Sequence, residues 1–232
     1  MPNTEIVHSK EDSCTYLLDD RESCIKMDRR EFYKEQIDIF KKHGKPTRAI
    51  EIIHILMFNK FGELYIQKRA DKSGHNAGLL DKSIGGHVQH GDPIDYTVMV
   101  ETVQELQVPS IVLRSDIDFK KAFLLLHDYL NTVALLKHDD SLFRNYERDI
   151  NGEKITIANK VHVFFGVYGG AVKTVDREAR GVLLYTLEEL GKEFEKFPDA
   201  FTQDLKLLIK EHGQHIQEFL KTIKSLENKA EE

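Results

Sequence analysis

Cysteine is scarce in this 232-residue chain: only Cys14 and Cys24 are present. Two cysteines cannot staple a disulfide-dense secreted scaffold, and both are expected to be reduced thiols beside the first hairpin. Long apolar runs are also missing. The strongest, 50–58 and 123–126, fall far short of the ~20 residues that span a bilayer. Positive charge is not in excess: 33 Lys and Arg against 39 Asp and Glu leave a formal charge of −6, which gives no basic footprint for nucleic acid. Met1 to Asp20 is polar and acidic, without a basic segment followed by an apolar one, so no signal peptide is read. These absences leave a cytoplasmic protein that binds neither membrane nor nucleic acid as the expectation. What is present is 41% hydrophobic and 31% charged residues, enough apolar material for a core.

Thr15–Leu18 and Cys24–Met27 read as a small hairpin around a polar turn, and Asp28 as the cap of a helix over about Arg29–Lys42. Ala49–Phe58 is β-branched and apolar, a buried strand. Glu63–Lys68 returns beside it, and a glycine-bearing loop, Asp71–Leu80, follows. Ile84-Gly85-Gly86-His87-Val88 is a strand without side chains at its middle. Asp92 and Pro93 open a helix to about Gln107, as capping carboxylate and first helical residue. Phe123–His127 and Thr132–Lys137 look like paired strands, Asp139–Glu153 like a loop, and Val161–Val167 like a strand. Helices follow over Leu187–Phe194 and, as one long segment, Asp204–Leu226, before a frayed Asn228–Glu232. Hairpins interspersed with helices imply an α+β fold, a mixed β-sheet sandwiched between helices (α/β/α) with an N-terminal β-hairpin and a C-terminal helical extension.

The chemistry concentrates between Gly85 and Val108. Glu101, Gln104 and Glu105 are spaced i, i+3, i+4 and share one helix face, while Val98, Met99, Thr102, Val103 and Leu106 take another. Oxygen ligands on one face suit a hard cation such as Mg2+ that also holds phosphates and water. The plain alternative is a solvated face with ordinary glutamates.

The frame around this helix resembles the Nudix box. Gly86 takes the first glycine, Asp92 the first glutamate, Val100 the arginine and Glu101 the glutamate after it. Gln104 and Glu105 take the paired glutamates, Gln107 the second glycine and Val108 the last aliphatic. Val100, Gln104 and Gln107 depart from the pattern. The stretches 63–70, 78–88, 185–190 and 197–202 resemble the branch near isopentenyl diphosphate isomerase and its bacterial hydrolase relatives. The resemblance implies a Nudix domain over 12–210 with its box at 86–108, an N-terminal tail at 1–11 and a helical extension at 211–232. It implies a Mg2+-dependent (or Mn2+-dependent) diphosphate hydrolase acting on a small molecule of nucleoside diphosphate type, with Glu105 and Glu101 catalytic and Glu101, Gln104 and Glu105 on the metal. Arg69, Lys72, Gly85, Gly86 and His87 are the substrate-binding candidates, with Lys68 and Lys82 nearby. A Nudix domain that only binds a phosphorylated ligand is the alternative. The isomerase is disfavoured: its cysteine falls on Gly85, one histidine on Ile50, and the glutamates expected near 158–160 are absent. His54 reads as core. The apolar C-terminal helix is expected to pack on the domain, and a homodimer is a further expectation.

Overall fold

The computed structural model describes residues 12–71, 76–150, 153–173 and 179–231. The expected tail at 1–11, the Lys72 site and part of the loop at 71–80 lie outside these residues. Strands β1 (Asp12–Leu17) and β2 (Ile25–Asp28) form the N-terminal hairpin. Cys14 and Cys24 are joined in a disulfide across it, not reduced as expected. Their Cα atoms are 5.5 Å apart, within bridging range once the hairpin closes. Asp28 then caps α1 (Arg29–His43), its carboxylate accepting from the Arg30 and Glu31 amides. Gly44 ends the helix in the left-handed region at φ 69°, where glycine carries no Cβ penalty.

β3 (Arg48–Phe58) is the axis of the sheet. On one side it runs parallel to β9 (Glu153–Val167), from Ala49↔Ala158 to Phe58↔Val167. On the other it meets β1, then β6 (Ile84–His87), then the start of β4 (Leu64–Arg69). β5 (Leu80–Asp81) and β10 (Ala179–Tyr185) pair with β4. β8 (Ala134–Ile150) forms a long antiparallel hairpin with β9, and β7 (Ser110–Leu113) lies parallel to β8. The sheet is therefore mixed, and the expected α+β architecture is present.

Alternation along β3 sorts two cores. Ile53, Ile55 and Met57 pack with Ile84, Val98 and Leu106 beneath α2 (Ile94–Leu106). Ile50, Ile52, Leu56 and Phe58 face the other way. There they meet α1, α3 (Asp116–Leu126), α4 (Leu187–Lys196), α5 (Gln203–Glu211) and α6 (Gly213–Ala230). Phe219 of α6 lies 6.0, 5.3 and 5.6 Å, ring to ring, from Phe58, Phe119 and Phe165.

Four local readings are corrected. Residues 123–126 end a helix, not a strand, because Ser115 caps α3 by accepting from the Asp118 amide. Residues 139–150 are strand, not loop: every residue from Asp140 to Ile150 pairs across to β9, and this polar end of the hairpin keeps its exposed side chains in water. The long C-terminal segment is two helices that break at His212 and Gly213, and the second runs to Ala230 without the expected fraying. Pro93, extended at ψ 141°, occupies the cap position of α2, and no side chain caps it. Its carbonyl accepts from the Tyr96 and Thr97 amides instead.

Candidate active site

β6 carries the bare pair Gly85 and Gly86. It pairs with β3 in the register His54↔Gly85 and Ile53↔Gly86, so the bare positions sit side by side over the buried strand. Ser83 sets its entrance, donating to the Tyr65 carbonyl at 2.6 Å while accepting from the Met57 amide at 2.8 Å.

On the α2 face, a Cβ at Gly86 would collide with the Glu101 carboxylate. Glycine here is the condition for that carboxylate to lie against the strand. One turn on, Glu105 accepts from the Gly85 amide at 3.4 Å and from Gln67 Nε2 at 2.9 Å. Two of the three helix oxygens predicted to share a site thus meet β6. Glu105 is buried, 8% exposed, held by the sheet as well as by its helix. Gln104 is exposed on the same helix. Val108 is buried, and Gln107 before it closes α2 in the left-handed region at φ 56°, where the box has glycine.

On the opposite face the site is cationic. A Cβ at Gly85 would come 2.8 Å from Lys82 Cε. Lys82 is buried between Asp81 at 3.1 Å and Asp204 of α5 at 3.7 Å. Burial works against the Asp81 carboxylate, but the Lys82 ammonium and Arg69 guanidinium beside it hold its pKa down to about 2. Thr202 also donates to it at 2.8 Å. Asp204 goes the other way: burial raises its pKa. Arg69 reaches Asp81 at 3.3 Å, and its buried Nε has no hydrogen-bond partner among the described residues. Lys68 is committed to the Gly78 carbonyl.

His87 lies on the Gly85 side of β6. Arg29 of α1 donates to its Nδ1 at 3.4 Å, and an arginine can only donate, so Nε2 carries the proton and donates to Tyr33 Oη at 2.9 Å. Burial, then the charges of Arg29, Arg148 and Lys82, pushes its pKa down to about 3. His54 is similar. Burial and the Lys82 charge hold it well below its usual value, and its Nδ1 has no hydrogen-bond partner among the described residues. Arg148 of β8 completes this wall, 4.7 Å above the Tyr33 ring.

Sequence reasoning placed Glu101, Glu105, Gly85, Gly86, Lys82 and His87 within one neighbourhood of the chain; the structure has Glu101 and Glu105 on the α2 face of β6, and Lys82 and His87 on the other. It missed Gln67, Asp81, Asp204, Arg29, Tyr33 and Arg148. Arg29, Arg148 and Asp204 come from distant elements, and only the topology brings them in. Gln67 was the nearest to legible, as the alternate position of β4 on the Tyr65 face. A surface cavity of about 430 Å3 lies elsewhere, against Tyr65, Gly170, Val172 and Val182.

No family model matches the sequence, and no curated protein matches it. Solved structures do. A bifunctional NMN adenylyltransferase/ADP ribose pyrophosphatase from Francisella tularensis matches at 14% identity and TM-score 0.46, over 81% of this chain and 46% of that one. This chain thus spans about half the length of that relative. A MutT protein from Methanosarcina mazei matches at 17% identity and TM-score 0.44, over 79% and 96% of the two chains. A MutT Nudix hydrolase from Burkholderia pseudomallei matches at 14% identity and TM-score 0.41, over 69% and 95%.

Proposed function

We propose that the chain is a Nudix-type hydrolase that cleaves a diphosphate bond in a small molecule with the help of Mg2+ or Mn2+. One observation carries this reading: Glu101 and Glu105 converge on the bare Gly85-Gly86 strand, and Gln67 and the Gly85 amide orient the Glu105 carboxylate. Two carboxylates meeting at one strand suit a divalent cation, which in turn holds phosphate oxygens.

The residues fit a divalent cation. Gly86 supplies a cradle that any side chain would fill, and Glu101 occupies it. Glu101 and Glu105 would hold the cation, with Gln104 offering an uncharged oxygen. A bound cation neutralises charge on the phosphate oxygens and lowers the pKa of water. The chain's own residues do the rest. Gln67 and the Gly85 amide fix the Glu105 carboxylate, so its orientation does not depend on a ligand. Arg29 and Arg148, from the other face of β6, and Arg69 would serve any phosphate that reaches past the strand. His87, kept neutral by burial and then by Arg29, would serve as a hydrogen-bonding group and not as a cation.

The second reading is a Nudix domain that binds a phosphorylated ligand without efficient turnover. Gln104 in place of a carboxylate and Val100 in place of the arginine favour it. Release of phosphate or pyrophosphate from a panel of nucleoside and non-nucleoside diphosphates, with and without Mg2+, separates the two. Turnover that requires the cation is expected. An inert wild type that gains turnover on Gln104→Glu with Val100→Arg supports the binding protein instead.

A further inference from the structure

The turn between α5 and α6 approaches β8 on the sheet face away from α2, and three side chains converge there with no part in the site above. Asp139 is the extra residue of a β-bulge: His138 pairs with Phe164 and Asp140 with Val163, leaving Asp139 without a partner in the ladder. A bulge re-aims a side chain, and this one turns the Asp139 carboxylate to the helix break. His212 is the residue at which α5 stops and α6 begins, and His215 lies in the first turn of α6. His212 Nδ1 lies 2.9 Å and His215 Nδ1 3.1 Å from the same oxygen, Asp139 Oδ2. All three donor atoms fall within 4.8 Å of one another.

Two backbone irregularities thus deliver two imidazole nitrogens and a carboxylate to a single point. Asp139 and His212 side chains are only 9% and 6% exposed, so this donor set is built into the fold and not scattered on the surface. His215 is 54% exposed. Beside it opens a cavity of about 260 Å3, bordered by Asp139, His215, Lys137 and Glu218.

We propose that Asp139, His212 and His215 form a zinc site, separate from the carboxylates of α2. Two imidazoles and one carboxylate suit Zn2+, while Mg2+ prefers oxygen ligands alone. Zinc–nitrogen and zinc–oxygen bonds of about 2.0–2.2 Å place tetrahedral ligands a little over 3 Å apart. The separations between Asp139 and each histidine are close to that, and the donor atoms of the two histidines lie within 4.8 Å of each other. Three protein ligands would leave one tetrahedral position for water or a further ligand. The ion would pin the α5–α6 break to the β8 bulge. This inference does not depend on the hydrolase reading.

The test uses the full chain without a histidine tag, stripped with a chelator and titrated with Zn2+ against a chromophoric chelator. One equivalent is expected to bind. His215→Gln and Asp139→Asn should each weaken it by at least ~10-fold, with circular dichroism showing an intact fold. Co2+ should give visible d–d bands that His215→Gln abolishes. Because His215 is exposed, its variant keeps the test sound even where Asp139→Asn fails to fold. Glu105→Gln should leave Zn2+ affinity as it is. Failure of the wild type to bind one equivalent would overturn the site. So would affinity unchanged in His215→Gln, or affinity lost in Glu105→Gln.

Discussion

Gln107 ends α2 at φ 56°, and its amide donates to the Thr102 and Val103 carbonyls. The Val108 amide donates to Thr102 as well, at 3.1 Å, and seats the buried Val108. The helix that carries Glu101 and Glu105 is thus closed by a side-chain-bearing residue in left-handed backbone. An L-residue there costs ~1–2 kcal/mol. Gln107→Gly removes that cost and keeps the amide bonds. Its more flexible unfolded chain returns ~0.5–1 kcal/mol, and the exposed glutamine side chain takes little packing with it. The net expectation is a gain of ~0.5–1 kcal/mol, or ~1–4 °C in Tm for a chain of this size. Gln107→Val should go the other way, since a β-branched residue fits this conformation poorly. Thermal denaturation followed by circular dichroism measures both. A glycine variant that melts below the wild type would refute the strain argument.

Two further outcomes follow from the packing and the charges. Burial and the cations around it push the His87 pKa down to about 3 from its ordinary 6.5, so the unfolded chain binds the extra proton between those values. Its contribution to stability is complete above about pH 6.5 and is lost as pH falls toward 3, at up to ~1.4 kcal/mol per pH unit. His87→Gln should therefore flatten the acid limb of the stability profile between pH 6 and 4, in urea denaturation at stepped pH; a limb as steep as the wild type's would contradict the burial of a neutral ring. Phe219→Ala empties a site walled by three aromatic rings and should cost ~3–5 kcal/mol in the same assay. A loss under ~1 kcal/mol would mean that α6 is not part of the core.

Legibility followed the range of the forces. Asp28 and Gly44 announced α1 because a cap is a local hydrogen bond. The β3–β4 hairpin and the bare middle of β6 were readable for similar reasons. The apolar run at 123–126 fits either period when taken alone; the deciding signal was Ser115 with Asp118 three residues on, a cap that lay outside the run. Asp140–Glu147 is polar because this end of the β8–β9 hairpin is partly in water, and polarity was misread as loop. At the candidate site, Glu101 and Glu105 were legible as a helix face. Arg29, Arg148 and Asp204 were not, since each reaches the site only through strand order and helix packing. The Cys14–Cys24 bridge was missed because spacing alone does not say which face of a hairpin a thiol takes.

Glu105 tests the central proposal most directly. Glu105→Gln keeps the volume and one acceptor oxygen, and Gln67 can turn its amide to meet the new donor. Loss of one charge-assisted hydrogen bond should then cost ~1–2 kcal/mol of stability and leave the fold intact. Removing a proposed cation ligand should lower Mg2+-dependent release of phosphate from a diphosphate substrate by at least ~100-fold, a change of about 2.7 kcal/mol in the barrier. The measurement is the initial rate of wild type and Glu105→Gln side by side across a Mg2+ titration. A folded variant at or below one hundredth of the wild-type rate is the predicted result; a folded variant with the wild type's rate and Mg2+ dependence would contradict the account.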